Sequence, residues 1–542
     1  MSLSRRFSPI SLLLLSINGM IGSAWLFAPL YAAQVAGSGA IISWVIGGLI
    51  TLAIAFVFAE IATFLPIAGG MARFAQLSHG TLANVLISWV SWLSFLMMAP
   101  IEVQATLQYA STYLPWLTYA TPGGVGLTHE GLMTATALML LLCFVNIASF
   151  KGLVRVNQWL LTFKLSVLFF TVFAILHAKF AVGNFQGWFP GLNMSSWHAI
   201  LSAVATGGVV FAFAGFTHGI AMAGEAKNSH IAIPLAVVGS VVACTLIYVL
   251  LQIAFIGGLS ASDLQNGWQH LNFKDAVGPF IGIGLMLGLT WAVRLLYINS
   301  VVSPLGTGLV YVTTTARTVY GISKNGLFPP ILSKLNKQGF PIYAIALNFV
   351  LGMFVFLPFH GWEQMVNFLV SAIVISYAIG PICLLAFRLQ LPDQARPFRL
   401  PCHKLFCFVS FYCCNLMTYW TGWGTIWKLA ICLSVGFILL MIAYVRGAID
   451  KSRFGMKSLY WMVPYLGGLF ILSYLGSYGG INMIPFGWDF LVIAIFSYIV
   501  LQLAVFSRQE FADEQYRIYK SELADNKEMQ EEDLQNGTIL VP

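Results

Sequence analysis

The sequence predicts an all-α integral membrane protein. Of its 542 residues, 59% are hydrophobic and only 8% are charged, whereas about 25% of the residues of a soluble domain are charged. Fourteen segments each contain the roughly 20 mostly apolar residues that one membrane-spanning helix needs. Basic residues concentrate in alternate connections between these segments, as expected when the connections alternate between the two sides of a membrane. These observations exclude a soluble domain.

The apolar segments follow one another with short polar connections. They lie at residues 9–33, 40–65, 82–112, 131–149, 157–178, 197–222, 232–256, 288–317, 341–358, 363–388, 404–422, 425–445, 459–478 and 488–507. The first segment follows Arg5 and Arg6 and reaches Ala33 without a small-residue cleavage site, so it predicts a span rather than a cleaved signal peptide. Pro279 and the alternating glycines around it predict a separate helix outside the membrane before the eighth span.

The distribution of basic residues predicts the orientation. Of the 27 Lys and Arg residues, Lys164 and Lys428 lie within predicted spans. If the N-terminus is cytoplasmic, only Lys179, Lys274 and Arg294 lie on the outer side. The other 22 basic residues then lie on the cytoplasmic side. We therefore expect a multi-pass protein of the cell (inner) membrane with both termini in the cytoplasm. Because the bases are dispersed among loops, the net charge of +8 does not predict a nucleic-acid partner.

Motifs for metal binding and catalysis are absent from the sequence. The eight cysteines form no CxxC pair and accompany no histidine cluster, so they predict buried apolar side chains rather than a metal site or disulfides. The apolar segments contain no HExxH, no paired catalytic carboxylates and no GxSxG. We therefore expect no enzyme activity, no metal and no cofactor.

Two of the apolar segments are interrupted at similar depths. The first break is residues 18–23, and the second extends from Gly207 and Gly208 to residues 213–216. In hydrocarbon an irregular backbone is tolerated only where it lines a cavity or is buried in protein. Matched interruptions in two halves of a membrane protein indicate the substrate site of a carrier. The alternative is that these glycines only allow close helix packing.

Five motifs give the chain its resemblance to a known family. They are residues 19–23, residues 213–216, residues 224–228, residues 316–329, and Glu60 followed by residues 64–70. In this order and spacing, over about residues 8 to 445, the chain resembles the amino acid–polyamine–organocation (APC) permeases. It departs from their pattern at Ala24-Trp25, where many members have a smaller pair, and at Met71, where an aromatic residue is common.

The resemblance implies a LeuT-type fold, a 5+5 inverted repeat with twelve core transmembrane helices. The permease core would be residues 1–445, with repeat one at about 9–178, repeat two at about 197–388, and peripheral helices at 404–445. An additional C-terminal helix pair, residues 446–507, brings the total to about fourteen and is similar to that of extended bacterial amino acid and aspartate-type permeases. Residues 508–542 hold nine of the nineteen acidic residues and predict a solvated cytoplasmic tail, with a regulatory or partner-binding role as the alternative.

The family motifs place a zwitterion site at the two breaks. Helix N-termini carry unpaired N–H groups and a partial positive charge, which favour a carboxylate. The expected carboxylate-binding residues are Ile21, Gly22, Ser23 and Ala24, with the Ser23 hydroxyl as a further donor. The residues whose carbonyls are expected to accept hydrogen bonds from the ammonium group are Phe211, Ala214 and Gly215. The aromatic residues expected to close over the substrate are Trp25, Phe213 and Phe216.

Buried ionisable residues are by default functional candidates, because they are costly inside a membrane. In the family, a lysine placed like Lys164 substitutes for a bound sodium ion; the alternative is a lysine that snorkels to the surface. Glu102 is our candidate for the proton-linked group, with a static hydrogen-bonded carboxyl as the alternative. His218 could change charge near neutral pH or be an interior histidine with satisfied hydrogen bonds.

Three charged residues near the inner ends of helices are candidates for a cytoplasmic gate, namely Glu60, Glu225 and Arg317. Together with the resemblance, these residues predict a proton-coupled amino acid symporter that works by alternating access. The alternatives are an amino acid exchanger of the same fold and, from another class, a non-transporting membrane sensor or scaffold. The expected partners are an amino acid, protons and the lipid bilayer; the sequence identifies neither the amino acid nor the oligomeric state.

Overall fold

The computed structural model describes residues 7–67, 70–121, 124–148, 150–189, 191, 193–271, 278–336, 339–445 and 455–510. This part of the chain is mostly helical, as the sequence predicts. A short antiparallel hairpin, β1 (Thr118–Thr121) and β2 (Gly124–Leu127), is the sheet that it contains. Lys274 and most of the predicted acidic tail, residues 511–542, lie outside the described residues.

The helices follow the predicted apolar segments. The first eleven are α1 (Pro9–Met20), α2 (Ala24–Ala36), α3 (Ala40–Phe64), α4 (Met71–His79), α5 (Thr81–Ala110), α6 (His129–Ala148), α7 (Phe150–Ala178), α8 (Met194–Thr206), α9 (Val209–Ala212), α10 (Thr217–Ala221) and α11 (Ser229–Pro234). The others are α12 (Ser240–Gly258), α13 (Pro279–Met286), α14 (Thr290–Lys324), α15 (Ile342–Val355), α16 (Trp362–Tyr377), α17 (Ile379–Gln390), α18 (His403–Trp420), α19 (Trp423–Val445), α20 (Leu459–Leu475) and α21 (Trp488–Phe506). A π-helical turn joins α11 to α12.

The number of spans that length and composition support is smaller than the predicted fourteen. Among the described residues, nine helices are long and apolar enough to cross a membrane, or up to eleven if each of two bent helix pairs is one span. α1 and α15 are apolar but have only 12 and 14 residues. The count of fourteen therefore remains a prediction.

The first break separates α1 from α2. α1 begins with Pro9, a residue whose fixed φ suits the first helical position, and the Ser8 hydroxyl accepts a hydrogen bond from the Ser11 N–H at 3.2 Å. α1 ends at Met20, because Ile21 has the non-helical angles φ −84° and ψ 76°. Since α2 begins only at Ala24, the helical hydrogen-bond ladder is interrupted at residues 21–23, where the sequence predicts it.

The second break follows α8. Gly208 has φ +82°, a left-handed conformation that glycine adopts without steric cost. A Cβ atom at Gly208 would lie 2.9 Å from the Trp362 ring and 3.0 Å from the Cβ of Ala28. The helical segments before and after the break differ in direction by 41°. α1 has 12 residues and α8 has 13, so the two breaks come after helices of nearly equal length.

The broken helices lie inside the bundle. The long helix α14 packs along α5 and α7 and also contacts α1, while α2 packs against α8 and α3 packs against α12. Residues 21–23 and 207–216 are all buried. Both interruptions therefore lie among other helices, which can supply partners for the backbone groups that the interruptions leave unpaired.

Both ends of the described chain lie on one face of the bundle. The Phe7 N–H donates to the Glu225 carbonyl at 3.0 Å, and the Gln509 N–H donates to the Ser78 carbonyl at 3.0 Å. Ser78 belongs to α4, and the residue before α4 contacts the segment that leads to Glu225. We call this face the terminal face and the opposite one the distal face.

The last two helices are fastened to the terminal face through α4. The buried His79, the last residue of α4, places Nε2 at 2.9 Å from the Ala504 carbonyl oxygen and Nδ1 at 2.9 Å from the Ser78 hydroxyl. The Ser458 hydroxyl donates to the His79 carbonyl at 2.9 Å. Because a carbonyl can only accept, Nε2 carries the proton of a neutral imidazole. Burial lowers the pKa of His79 to about 4.

We expect acidification to weaken this attachment. The pKa of His79 lies below the ordinary value of 6.5, so the unfolded chain binds more protons than the folded one. The resulting stability is complete above pH 6.5 and is lost as the pH falls toward 4. Between pH 7.5 and pH 5 the loss is about 2 kcal/mol, which the thermal unfolding midpoint of the purified protein at the two pH values would detect.

Two variants separate His79 from other acid-sensitive groups. His79→Gln keeps an N–H donor but does not titrate, so its unfolding midpoint should fall less between the two pH values than that of the wild type. The exposed His230 provides the matched control His230→Gln, which should keep the wild-type pH dependence. Equal pH dependence in all three proteins would contradict the assignment to His79.

Candidate substrate and ion site

The two helix breaks are in direct contact. A Cβ atom at Gly215 would lie 2.5 Å from the Gly19 carbonyl carbon and from the Met20 nitrogen, so only glycine allows this approach. The Tyr248 hydroxyl lies between the breaks, 2.7 Å from the Met20 carbonyl oxygen and 3.2 Å from that of Ala212. Gly215 is one of the residues that the sequence assigns to the substrate, and it lies where the two interrupted helices meet.

Lys164 occupies the carbonyl side of the first break. It extends from α7, is fully buried, and places Nζ 3.2 Å from the Asn18 carbonyl oxygen and 2.7 Å from that of Ile21. Its third acceptor is the Thr307 hydroxyl of α14 at 2.9 Å. Lys164 therefore has three oxygen partners in the interior and does not snorkel to the surface.

Two hydroxyl groups of α14 also form hydrogen bonds with the carbonyls of the first break. Thr307 Oγ1 donates to the Asn18 carbonyl at 2.7 Å. Ser303 Oγ lies 3.2 Å from the Ile21 carbonyl oxygen and 3.1 Å from that of Gly22. Ser303 and Thr307 are four residues apart and so lie on one face of the helix. Neither residue was predicted from the sequence, because isolated Ser and Thr residues in an apolar helix give no distinctive signal.

Glu102 occupies the N–H side of the same break. It lies on α5, is buried, and its Oε2 accepts a hydrogen bond from the Ser23 N–H at 2.7 Å. Among the described residues, the next two N–H groups, those of Ala24 and Trp25, have no hydrogen-bond acceptor. A side-chain carboxylate therefore lies at the start of α2, where the sequence predicts that the substrate carboxylate binds.

The other predicted backbone donors have partners within the break itself. The Ile21 N–H completes the last turn of α1 by donating to the Ile17 carbonyl at 3.0 Å, and the Gly22 N–H donates to the Met20 carbonyl at 3.0 Å. The Ser23 hydroxyl accepts from Trp362 Nε1 at 2.7 Å. Of the four residues assigned to a carboxylate, only Ala24 retains an unpaired N–H in the described contacts.

The three residues with predicted ammonium-binding carbonyls lie in the second break. Phe211, Ala214 and Gly215 are all buried, and the Ala214 carbonyl accepts from the Thr217 hydroxyl at 2.7 Å. His218 follows on α10, with Nδ1 hydrogen-bonded to Thr314 Oγ1 and with no partner for Nε2 among the described residues. A Cβ atom at Gly19 would overlap His218 Nε2, so the imidazole lies directly over the end of α1.

The three aromatic residues predicted to close over the substrate contact different parts of the bundle. Trp25 Nε1 donates to Ser303 Oγ at 3.0 Å, and the Trp25 ring lies 5.7 Å from that of Phe280 on α13. Phe213 instead packs edge-on against Trp44 and Tyr248. Phe216 packs against Phe58 and Tyr377. Trp25 and Phe213 each contact a side chain that is hydrogen-bonded to the first break, namely Ser303 and Tyr248.

A second aromatic cluster was not predicted. Trp362, the first residue of α16, lies with its ring centroid 5.1 Å from Phe27, 5.6 Å from Tyr31 and 5.6 Å from Phe211. Tyr109 is 4.9 Å from Phe27 and extends the cluster. Because Trp362 also donates to Ser23, this cluster covers the distal side of the first break. The sequence separation of 339 residues between Trp362 and Ser23 explains why no local pattern indicated it.

The three predicted gate residues form two separate ion pairs. Glu225 Oε1 lies 2.8 Å from Arg317 Nε, and both side chains are buried. Glu60 instead pairs with Arg388 of α17, with Oε1 2.7 Å from Nε and Oε2 2.8 Å from Nη2. The first pair joins the segment after α10 to α14, and the second joins α3 to α17. Among the described residues, no group of three or more His, Cys, Asp or Glu residues could hold a metal ion.

Two interrupted apolar helices that meet beside a buried lysine and a buried carboxylate are typical of membrane transport proteins. The profile of the amino acid permease family matches residues 7–470. The chain belongs to this family, within the APC transporters. It is an amino acid permease and a multi-pass membrane protein.

Three relatives come from Bacillus subtilis strain 168. The glutamate/serine transporter AimA is 38% identical over 506 residues, which cover 92% of this chain and 93% of the relative. An aspartate-proton symporter is 34% identical over 509 residues, 93% of this chain and 96% of the relative. The branched-chain amino acid permease BcaP is 26% identical over 457 residues, 81% and 93% of the two chains.

We expect Gly22→Ala to impair transport strongly. A Cβ atom at Gly22 would lie 2.5 Å from Glu102 Oε1 and 2.8 Å from Thr307 Cγ2, so either the carboxylate or α14 must move. Overpacking of this kind costs about 1–3 kcal/mol, which corresponds to a roughly 5- to 150-fold loss of amino acid uptake into proteoliposomes.

The matched control is Gly467→Ala on α20, where a Cβ atom would meet no other atom within 4 Å. This variant should transport at the wild-type rate. Both proteins should elute as single peaks in size-exclusion chromatography, which separates a local effect from misfolding. Equal transport by the two variants would contradict a tight fit at Gly22.

Proposed function

We propose that this permease is a proton-coupled amino acid symporter in which Glu102 carries the proton. The observation that supports this role is the hydrogen bond from the Ser23 N–H to the Glu102 carboxylate. The N-terminus of a half-helix favours a negative charge, and here a side chain supplies it. The substrate carboxylate needs the same N–H groups, so Glu102 and the substrate compete for one position.

Protonation of Glu102 removes this competition. A neutral carboxyl interacts more weakly with the helix terminus than a carboxylate does. The Ser23 N–H then becomes available to the substrate, together with those of Ala24 and Trp25, which have no acceptor among the described residues. In this mechanism one proton enters with each amino acid, because the substrate binds to the protonated form.

Lys164 replaces a driving metal cation in this proposal. Carbonyl oxygens of an unwound membrane helix are typical ligands for a coupling ion, and the ammonium group of Lys164 binds two such carbonyls together with the Thr307 hydroxyl. The terminal nitrogen of Lys164 thereby links α1 to α14. The name of the aspartate-proton symporter, a relative with 34% identity, agrees with a proton as the coupling ion.

We further propose the 5+5 inverted repeat, with repeat one at residues 9–178 and repeat two at 197–388. Each half contains a broken helix followed by four further apolar helical segments, which we take as spans. In each half a short helix follows the second span, α4 with nine residues in the first and α13 with eight in the second. The near-equal lengths of α1 and α8 support the same alignment.

Alternating access would then open the two faces in turn. The Glu225–Arg317 pair closes the route toward the terminal face, and the Trp362 cluster closes the route toward the distal face. We assign the terminal face to the cytoplasm, because the predicted inner connections hold 22 of the 27 basic residues. Separation of Glu225 from Arg317 would release the substrate inward. We assign no enzymatic activity.

Asn299 is our candidate for recognition of the substrate side chain. It is fully buried, and neither its amide nitrogen nor its amide oxygen has a hydrogen-bond partner among the described residues. It lies one helical turn before Ser303, on the same face of α14. Arg294 is exposed. The unpaired amide favours an amino acid with a polar side chain, in agreement with the names of the glutamate/serine and aspartate relatives.

The Glu102→Gln variant should lose uphill accumulation and retain exchange. A factor of ten in concentration corresponds to about 1.4 kcal/mol, so a gradient of one pH unit supports roughly tenfold accumulation at one proton per substrate. Proteoliposomes with an inward pH gradient and radiolabelled aspartate, glutamate or serine would measure it. Counterflow of the same amino acid, without a pH gradient, measures exchange.

The exposed Glu130 provides a control that also removes one carboxylate. Glu130→Gln should accumulate substrate like the wild type. Unchanged accumulation by Glu102→Gln would remove Glu102 from the coupling mechanism. If the wild type itself takes up amino acid only in exchange for internal amino acid and without response to pH, the protein is an exchanger.

The Asn299→Leu variant should shift selectivity away from polar substrates. A polar substrate loses the hydrogen bonds of the amide, at about 1–3 kcal/mol, so competition by serine or aspartate should weaken roughly tenfold relative to competition by an apolar amino acid such as leucine. Inhibition of labelled uptake by each unlabelled amino acid measures the ratio. An unchanged ratio would mean that Asn299 does not face the substrate side chain.

A further inference from the structure

A large basic cavity lies on the terminal face, away from the helix breaks. It has a volume of about 910 Å3 and is formed by the end of α17, the segment that leads to α18, the start of α18, and α21. The last helix pair, which extends the chain beyond the twelve predicted core helices, therefore builds one wall. Neither transport nor gating, as proposed above, uses this cavity.

The charge of the lining is strongly positive. Four bases line it, namely Arg388, Arg396, Arg399 and Lys404, and Asp393 is the single acidic residue among them. Arg388 forms an ion pair with the buried Glu60, which compensates its charge. In contrast, Arg399 and Lys404 are exposed and form no ion pair with any described residue. An anion in the cavity would find two basic side chains without acidic partners.

The opposite part of the lining is apolar and faces outward from the bundle. Leu389 of α17 is 53% exposed and Tyr498 of α21 is 57% exposed, and Phe408 of α18, whose ring centroid is 6.2 Å from that of Tyr498, also lines the cavity. Side chains exposed on a membrane-spanning helix of this kind contact lipid chains. The cavity thus combines a basic rim with a hydrocarbon-facing wall, which is the polarity of a phospholipid.

We propose that this cavity binds an anionic phospholipid. Its phosphate lies at Arg399 and Lys404, and its acyl chains lie along Leu389, Phe408 and Tyr498. Basic pockets between membrane helices are suited to the headgroups of anionic lipids. The bound lipid fills the space between α17 and α21 and so connects the last helix pair to the rest of the bundle.

A phospholipid fits this cavity better than the acidic tail does. Residues 508–542 contain nine acidic residues and begin where α21 ends, so they could reach the basic rim. An acidic peptide would satisfy Arg399 and Lys404 but would leave the exposed apolar wall in contact with charged groups. A free phosphate ion would leave the wall uncovered in the same way.

The site is placed to affect the ion pair between α3 and α17. Arg388 lines the cavity and holds Glu60 through two hydrogen bonds. The Glu60 Oε2 also accepts from the Leu400 N–H at 2.7 Å, in the segment that carries Arg399. A lipid phosphate at Arg399 therefore orders the segment that closes over Glu60.

The test uses the full-length protein, delipidated in detergent and titrated with phosphatidylglycerol under native mass spectrometry. Arg399→Gln/Lys404→Gln should bind phosphatidylglycerol roughly 25-fold more weakly than the wild type, at about fivefold for each base removed. Lys324→Gln/Lys334→Gln is the matched control, because it also removes two exposed bases. Its affinity should stay within about twofold of the wild type.

Four results would overturn the proposal. Equal weakening in the two double variants would mean that binding reports only net charge. An equal affinity for phosphatidylcholine and phosphatidylglycerol would exclude an anionic phospholipid. Displacement of the lipid by inorganic phosphate at equal concentration would exclude it too. Stronger lipid binding by Glu531→Gln/Glu532→Gln/Asp533→Asn would identify the tail as the occupant, since the lipid proposal predicts no change in this variant.

Discussion

The interruption of the helical ladder at residues 21–23 is the constraint on which the core depends. An unpaired backbone group inside a membrane costs several kcal/mol, and this break frees carbonyls on one side and N–H groups on the other. The carbonyls of Asn18 and Ile21 are satisfied by Lys164 and Thr307. The Ser23 N–H is satisfied by Glu102. A lysine and a glutamate side chain are thus held on opposite sides of one break, each by hydrogen bonds to its backbone groups.

The second break packs directly against the first. Gly215 approaches the backbone of Gly19 and Met20 too closely for any side chain, and Tyr248 hydrogen-bonds to both helices. Because two broken helices packed in this way are joined by few regular hydrogen bonds, they can change their mutual angle at low cost. This property suits the rocking motion that we propose for alternating access. The ion pair at Glu225 and the cluster at Trp362 lie on opposite sides of the contact.

The last helix pair has a structural role that the family resemblance did not indicate. It fastens α4 through the buried His79 and provides the α21 wall of the basic cavity. α4 follows the loop that contacts Ile220 on the second broken helix. The last helix pair is remote from the helix breaks. It is nevertheless connected to the broken helices through α4, and to α3 through the cavity residue Arg388 and its bond to Glu60.

The sequence by itself determined the membrane class, the helical segments, both breaks and the family. It also singled out Lys164 and Glu102, because an ionisable residue in an apolar helix is unusual whatever its neighbours are. Only the tertiary structure decided that Glu102 reaches Ser23, that Glu60 pairs with Arg388, and that Trp362 covers the site. These contacts join residues 79, 328 and 339 positions apart. Local patterns fix where a helix begins and breaks, whereas the partner of each freed backbone group depends on which helices pack together.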